Sequence, residues 1–545
     1  MSATALNLLV FRDARRCVRS ALLKETLVDC VVRLGDPVCS QGPLRPLLLA
    51  GELECGLSDS TASSCEEVTD GLAESLVSGR PIDFIPPKKA LLKLAVPDQL
   101  QISVPEGFAY YALHPLAYAD AGTKIQNLSA TVAVIGIRSI GTTLSAVVAA
   151  ALRSAGKSAM RITVRPHGHP YNRELQFSSE QAEFLRQALA GNADFLVVDE
   201  GPGLSGSSFL SVAEALELEG VSPHKMTLMC GHQPDFASFR ATDGQRRASR
   251  FHWVPVDGTP RRPDSVHVFV GGGEWRRSLY PGQAAWPASW TSFERLKYLS
   301  SGHEGQPRLC KFLGLGHYGD EVFERERRVA EAGFGPSPQI EPHGFASYPW
   351  INGRPMGPTD LSKDVLRRLA EYCAFLSREF PANIRKLDAL THMANHNLAQ
   401  LGLNLQVDLH LERPVIADGR MQPHEWLLSP DRQILKVDSG SHGDDHFFPG
   451  PTDIAWDLAG AIVEWQMDSE QTEFFLKNYG QLSGDNLSSR ISDFLIAYSA
   501  FRASYCLMAA NALHGSDEQS RHERAAASYR DLFLAQNSAL VAVHS

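Results

Sequence analysis

Phe195-Leu-Val-Val-Asp-Glu-Gly-Pro-Gly-Leu-Ser-Gly-Ser-Ser-Phe209 is the stretch on which the reading of this chain turns. Four apolar residues, 195–198, read as a buried strand. Asp199 and Glu200 follow at its carboxyl end, and a turn rich in Gly and Ser leads into a helical run over 209–218. A strand that delivers two acids and a hydroxyl-bearing turn onto a helix N-terminus suits a phosphorylated sugar. The acids can hydrogen-bond ribose hydroxyls. The backbone around Gly203 and Gly206, the hydroxyls of Ser205, Ser207 and Ser208, and the positive helix end can hold a phosphate.

Outward from this stretch the chain alternates strands and helices. Strands are expected at 131–135, 160–164, 195–198, 225–230 and 266–270, with helices at 143–155, 179–190 and 209–218. That alternation implies an α/β, doubly wound parallel sheet, which binds ligands at its strand carboxyl ends. The first strand-to-helix turn is Ile135-Gly-Ile-Arg-Ser-Ile-Gly-Thr-Thr143. Gly136 and Gly141 let backbone approach an anion, Arg138 offers a fixed positive fork, and Ser139, Thr142 and Thr143 offer hydroxyls. A second anion site is therefore expected beside the first, on the same sheet edge. Between them, residues 165–173 carry Arg165, His167, His169 and Arg173 among Gly and Pro. This segment reads as a basic lid over a polyphosphate; His-x-His without a third ligand is a weak metal signal.

The 545 residues suggest about three domains. A formal net charge of −10 argues against nonspecific nucleic-acid binding. Nine cysteines without a CxxC pair read as reduced thiols, so a cytoplasmic protein is expected. The apolar run 5–11 precedes its arginines, the reverse of a secretory signal. The apolar stretch 494–513 contains Arg502 and reads as a buried helix, not a membrane span. Residues 1–92 read as a small α+β region of unassigned role, with a polar loop at 58–67. Gly271-Gly272-Gly273 breaks the pattern, and 275–290 reads as a linker; the alternative is that Trp275, Arg276 and Arg277 cap a substrate pocket.

The region 93–274 resembles the type I phosphoribosyltransferases, in the right order of motifs. Asp199 and Glu200 match that family's acid pair, 203–208 its ribose-phosphate loop with Ser in place of Thr, and 137–141 its pyrophosphate loop. Gly201-Pro202-Gly203 departs from the usual loop. Residues 111–118 and 136–143 also look like phosphoribosyltransferases of stress-response gene clusters, whose products are expected to be ribonucleosides. The resemblance implies phosphoribosyl pyrophosphate (PRPP) as donor, Mg2+ as cofactor, and displacement at the sugar C1. Arg138 and the lid would then stabilise charge on the leaving pyrophosphate, while the acids orient the ribose.

A second constellation lies in 288–545. Residues 309–313 read as a strand with Lys311 in its middle, preceded by a Gly-bearing turn and followed by a charged helix over 320–332 with Glu324 and Glu326. Strand Lys plus helix Glu is the device that sets a lysine on ATP phosphates. Residues 348–355, 434–440 and 453–459 resemble the hinge, metal-binding turn and following helix of aminoglycoside and choline kinase-like proteins, a bilobal α+β fold. The resemblance implies ATP at Lys311 with Glu324 or Glu326 as its partner, magnesium at Asp438 and Glu425, and Asp457 bracing the catalytic loop. The loop itself departs: Ala417-Asp-Gly-Arg-Met-Gln-Pro-His-Glu-Trp426 puts Arg420 where the family has its catalytic Asp and Glu425 where it has Asn. Asp418 is the nearest replacement base. Ser441-His-Gly-Asp-Asp-His446 adds further oxygen and nitrogen donors, or is a solvated loop. The whole reads as a bifunctional enzyme acting on small molecules: phosphoribosyl transfer to a base, coupled to ATP-dependent phosphorylation in nucleoside-type biosynthesis. The alternative is a PRPP- and nucleotide-binding sensor without turnover.

Overall fold

The computed structural model describes residues 6–13, 15–34, 42–80, 85–203, 205–256, 260–302, 305–443 and 445–541. The chain divides into two compact units. One comprises 14–261 with 314–318; the other comprises 1–13, 262–313 and 319–545.

The first unit is built on five parallel strands in the spatial order Ser158–Val164, Thr131–Ile137, Asp194–Val198, Met226–Cys230, His252–Pro255. In the three central strands the β-branched and apolar residues are buried on both faces, as a sheet covered by helices on both sides demands. The strand order reverses on either side of Thr131–Ile137, a topological switch point of the kind at which such sheets bind ligands. Gly136 lies opposite Val198 in the parallel register. The turns after these two residues are therefore neighbours, as the sequence implied.

The helix Ile140–Ser154 is buried from Ile140 to Leu152 because a second layer covers it. That layer comes from the N-terminal helices Leu44–Gly56 and Asp59–Ser78. The helices approach so closely at Gly51 that a Cβ there would fall 2.0 Å from Thr143 Oγ1. Residues 58–67, expected as a polar loop, are thus mostly helical. Ala62, Cys65, Val68 and Leu72 form the buried stripe, while the Ser, Thr and Glu between them hide its period. Most of 1–92 belongs to this unit, whereas 6–13 packs in the other.

One further expectation is corrected. The fifth parallel strand is His252–Pro255. Residues 266–270, assigned to this sheet from sequence, instead give Val266–Phe269, an edge strand of the second unit's sheet. A short apolar run cannot say which sheet it joins.

The second unit contains a five-stranded antiparallel sheet in the order Val266–Phe269, Lys297–Ser301, Pro307–Phe312, Phe345–Pro349, Gln339–Glu341. The helix His317–Glu331 follows the Lys311 strand. A separate three-stranded sheet, Arg354–Pro355, Trp426–Leu428 and Ile434–Lys436, sits with the helices Lys363–Glu379, Ala455–Glu464 and Ile491–Ala512 around a core of Trp426, Trp456, Trp465, Tyr372 and Tyr498. Ile491–Ala512 is buried almost all round, the mark of a core helix. Among the described residues, no helix is long and apolar enough to cross a membrane. In 275–290, Arg276 is buried and hydrogen-bonds Glu518 and the Pro287 carbonyl, so this arginine is a structural residue and not a pocket cap.

The N-terminal layer is pinned by charge. Arg161, on the edge strand, donates to both oxygens of Glu54 at 2.8 and 3.0 Å and to Asp70 at 2.6 Å. The side chains of Arg161 and Glu54 are 1% and 0% exposed. Removing one partner of such a pair costs more than removing both, because a lone charge is left buried. Arg161→Leu is expected to lower unfolding free energy by about 3–5 kcal/mol, with Glu54→Leu added recovering much of the loss. Chemical denaturation checks this; a single-variant cost under about 1 kcal/mol would contradict it.

Candidate functional site

At the switch point of the first unit, Asp199 and Glu200 leave the strand and are largely buried. Asp199 accepts backbone N–H groups of Glu200 and Gly141. Glu200 accepts the Gly107 N–H at 3.1 Å, and Tyr118 Oη donates to the Asp199 carbonyl at 2.8 Å. Burial pushes the Asp199 carboxyl up to about 7, against the help of those two N–H groups and of Arg173. Burial, and then the charge of Asp199, push Glu200 up to about 8. Gly141 has no room for a side chain: a Cβ would lie 2.6 Å from the Val198 carbonyl. Gly136 is equally constrained, by Ser145 and the Gly141 carbonyl. Ser139 caps the helix Ile140–Ser154 at φ 136°, a strained backbone for a residue with a side chain.

The Ser turn lies beside the acids in sequence and meets the 165–173 segment. That segment is a hairpin, His167–His169 paired with Asn172–Glu174, and Ser207 Oγ donates to the Pro170 carbonyl at its tip at 2.6 Å. Ser205 Oγ lies 2.9 Å from Ser207 Oγ and accepts the Ser207 N–H at 3.2 Å. Gly203 and Gly206 adopt φ 60° and 66°, and Ser208 stands in the first turn of the helix Ser207–Leu218. Leu204 lies outside the described residues.

The arginines and threonines of the first turn do not face this cluster. Arg138 is corrected from an anion ligand to a structural residue. Its guanidinium bonds Thr163 at 3.1 Å, the Leu57 carbonyl at 3.0 Å and Asp59 at 2.9 Å. Arg165 bonds the Cys55 carbonyl. Both cations thus sit at the C-terminal end of the helix Leu44–Gly56, where the helix dipole is negative. Thr143 packs at Gly51, and Thr142 Oγ1 is buried without a hydrogen-bond partner. The remaining lid cation near the acids is Arg173.

In the second unit the strands converge on a buried charge network. Lys311 Nζ lies 3.3 Å from Glu326 Oε1, 2.5 Å from Asp438 Oδ1 and 3.0 Å from Ser441 Oγ. Tyr348 Oη also donates to Glu326. Glu326, not Glu324, is therefore the lysine's partner. Glu324 is exposed and pairs with Arg327 one turn on. The helix turns 100° per residue, so a two-residue offset reverses the face; a charged helix does not announce its inner side. Lys297, not singled out from the sequence, reaches Asp438 Oδ2 at 3.3 Å and Glu294 at 3.0 Å. Lys297 opens the strand Lys297–Ser301, directly opposite Lys311. Burial alone would raise the Asp438 carboxyl, but Lys311, Lys297 and His442 outweigh it and hold it well below the usual carboxylate range.

The 417–426 loop is braced as the sequence implied: Asp457 accepts the N–H groups of Asp418 at 2.9 Å and Gly419 at 2.8 Å. Burial, and then Asp418, push Asp457 up to about 7. Asp418, the nearest replacement base by sequence, is buried. Its side chain is 0% exposed and is held by Tyr372 Oη at 2.6 Å and Lys436 Nζ at 3.2 Å. Arg420 lies under Phe447 and Tyr505, 3.7 Å from Asp445. Glu425 accepts from Lys436 Nζ at 2.8 Å. The ligand atoms of Asp418, Glu425 and His442 lie within 4.8 Å of one another. Asp444 lies outside the described residues.

No family model matches the chain, and no curated protein does. Among solved structures it is similar to the choline kinase LicA of Streptococcus pneumoniae, at 16% identity over 43% of this chain and 89% of that one, with a TM-score of 0.30. It is similar to the macrolide 2'-phosphotransferase MphH of Brachybacterium faecium at 16% identity, over 47% and 95%, with a TM-score of 0.31. A choline kinase of Cryptosporidium parvum gives 12% identity over 48% and 95%, with a TM-score of 0.31.

The raised acids make a pH prediction. In the unfolded chain both titrate near 4; folded, they titrate near 7 and 8, so their contribution to stability falls as pH rises from about 4 to about 8. Asp199→Asn with Glu200→Gln is expected to raise Tm relative to the parent, by more at pH 8 than at pH 5. A difference that does not change with pH in thermal scans would contradict this.

Proposed function

We propose that the second unit binds ATP and is a phosphotransferase acting on a small molecule. The observation that carries this reading is the Lys311 ammonium shared between Glu326 and Asp438 on an antiparallel sheet. A lysine fixed by a helix glutamate is placed to contact nucleotide phosphates, and its bond to Asp438 is one that a nucleotide can exchange for phosphate oxygens. Asp438 offers hard carboxylate oxygens that fit Mg2+. Bound there with nucleotide, magnesium would neutralise phosphate charge. Asp457 fixes the loop backbone, and the buried Asp418 acts as part of its frame. The test is titration of a fluorescent ADP analogue with Mg2+. Lys311→Met and Asp438→Asn are expected to weaken binding at least about tenfold, whereas Glu324→Gln leaves it unchanged. Equal affinity in Lys311→Met would overturn the reading.

For the first unit we infer PRPP binding, with transfer of its ribose 5-phosphate to a base as the reaction. A base nitrogen would attack C1 while the bond from C1 to pyrophosphate breaks. Three observations support it: neighbouring turns at a switch point, an acid pair beside a Ser turn, and a hairpin whose tip meets that turn. Neutral acids near pH 7 would donate as well as accept hydrogen bonds to ribose hydroxyls. Incubation with PRPP, Mg2+ and a panel of bases should release pyrophosphate, and Asp199→Asn with Glu200→Gln should abolish release. PRPP binding without release for any base would favour a sensor, and absence of PRPP binding would overturn the assignment.

A further inference from the structure

Lys436 is the most completely enclosed cation near the proposed nucleotide site. It ends the strand Ile434–Lys436, in register with Trp426 of the neighbouring strand. That register brings it beside Glu425, one residue before Trp426, and leaves Asp438 two residues beyond. Its side chain is 0% exposed. Nζ lies 2.8 Å from Glu425 Oε2, 3.2 Å from Asp418 Oδ2 and 2.5 Å from the Asp438 carbonyl oxygen. An ammonium has three N–H donors and no acceptor. Two of these oxygens accept hydrogen bonds and the third, on Asp418, forms an ion pair, so two carboxylates and one carbonyl surround the ammonium.

By residue type alone, Asp418, Glu425 and His442 would pass as a metal-binding set, and Glu425 with Asp438 as another. The ammonium stands against two members of the first set and one of the second. A divalent ion placed among the same oxygens would meet a buried positive charge already in contact with two of them. Lysine also cannot swing clear cheaply, since leaving would strand two buried carboxylates. The Asp438 side chain is different. Its carboxylate points to Lys311 and Lys297, both of which have a second acid, Glu326 and Glu294, to fall back on.

We propose that Lys436 is a built-in cation that takes the place of a second divalent ion, so that this centre holds one divalent ion per nucleotide, on Asp438. Glu425 is then a partner of Lys436 and not a metal ligand. The inference rests on the nucleotide-binding reading for its ion count, but not for the role of Lys436 as an internal counter-ion.

The test is Mn2+ binding followed by electron paramagnetic resonance on the full chain with saturating ADP. One tightly bound Mn2+ per chain is expected, and two would overturn the proposal. Lys436→Met is expected to lower Tm, to regain stability when Mn2+ is added, and to bind one additional Mn2+. Lys436→Arg should retain the parental count. If Lys436→Met does not fold, the count on the unmodified protein still decides. If ADP does not bind, the nucleotide reading fails. The thermal arm, run without nucleotide, then decides for Lys436: Mn2+ should stabilise Lys436→Met and not the parent, and equal stabilisation of both would overturn its role.

Discussion

The second unit is organised by an ammonium group between two acids of different origin. Lys311 ties a helix carboxylate, Glu326, to a turn carboxylate, Asp438, and the antiparallel sheet, the helix His317–Glu331 and the turn after Ile434–Lys436 all meet there. Gly440 belongs to the same constraint. A Cβ on it would lie 2.2 Å from Glu326 Cγ, so the turn reaches the helix only without a side chain. Buried charges of this kind hold geometry more than they add stability. Their removal one at a time is costly, and that cost keeps Lys311, Glu326 and Asp438 in register.

The two units treat buried carboxylates in opposite ways. Asp438 is surrounded by Lys311, Lys297 and His442 and stays ionised. Asp199 and Glu200 lie in an equally enclosed place with backbone N–H groups and a single nearby arginine, and burial wins. The first arrangement is a charged centre already balanced, whose cations the proposed nucleotide's phosphates would recruit. The second is a centre short of positive charge, because Arg138 and Arg165 are committed to the end of a neighbouring helix. A ligand bringing its own cation would supply what that site lacks.

Much of the frame was legible in the sequence for simple reasons. Uninterrupted β-branched runs mark buried parallel strands, and Gly136 and Gly141 mark backbone that must pass close to a neighbour. The motif order 311, 438, 457 predicted groups that do converge on one loop system. What could not be read was direction. Arg138 sits in the right turn but points toward Asp59, 79 residues earlier in the chain. Glu324 and Glu326 differ by two positions on one helix, and only the packing says which faces inward. Lys436 carried no signal, since a lysine closing a short strand usually faces solvent; here it lies inside, paired with Asp418 and Glu425. The strand at 266–269 was visible, but its sheet was not, because an apolar run of four residues carries no pairing information.

The most direct measurement is a crystal structure of the chain with a non-hydrolysable ATP analogue and Mn2+, using anomalous scattering to place the metal. The account predicts phosphate oxygens on Lys311, one manganese peak on the Asp438 carboxylate, and the Lys436 ammonium still against Glu425 and Asp418. Two manganese peaks with Glu425 as a ligand, or nucleotide bound away from Lys311, would contradict it.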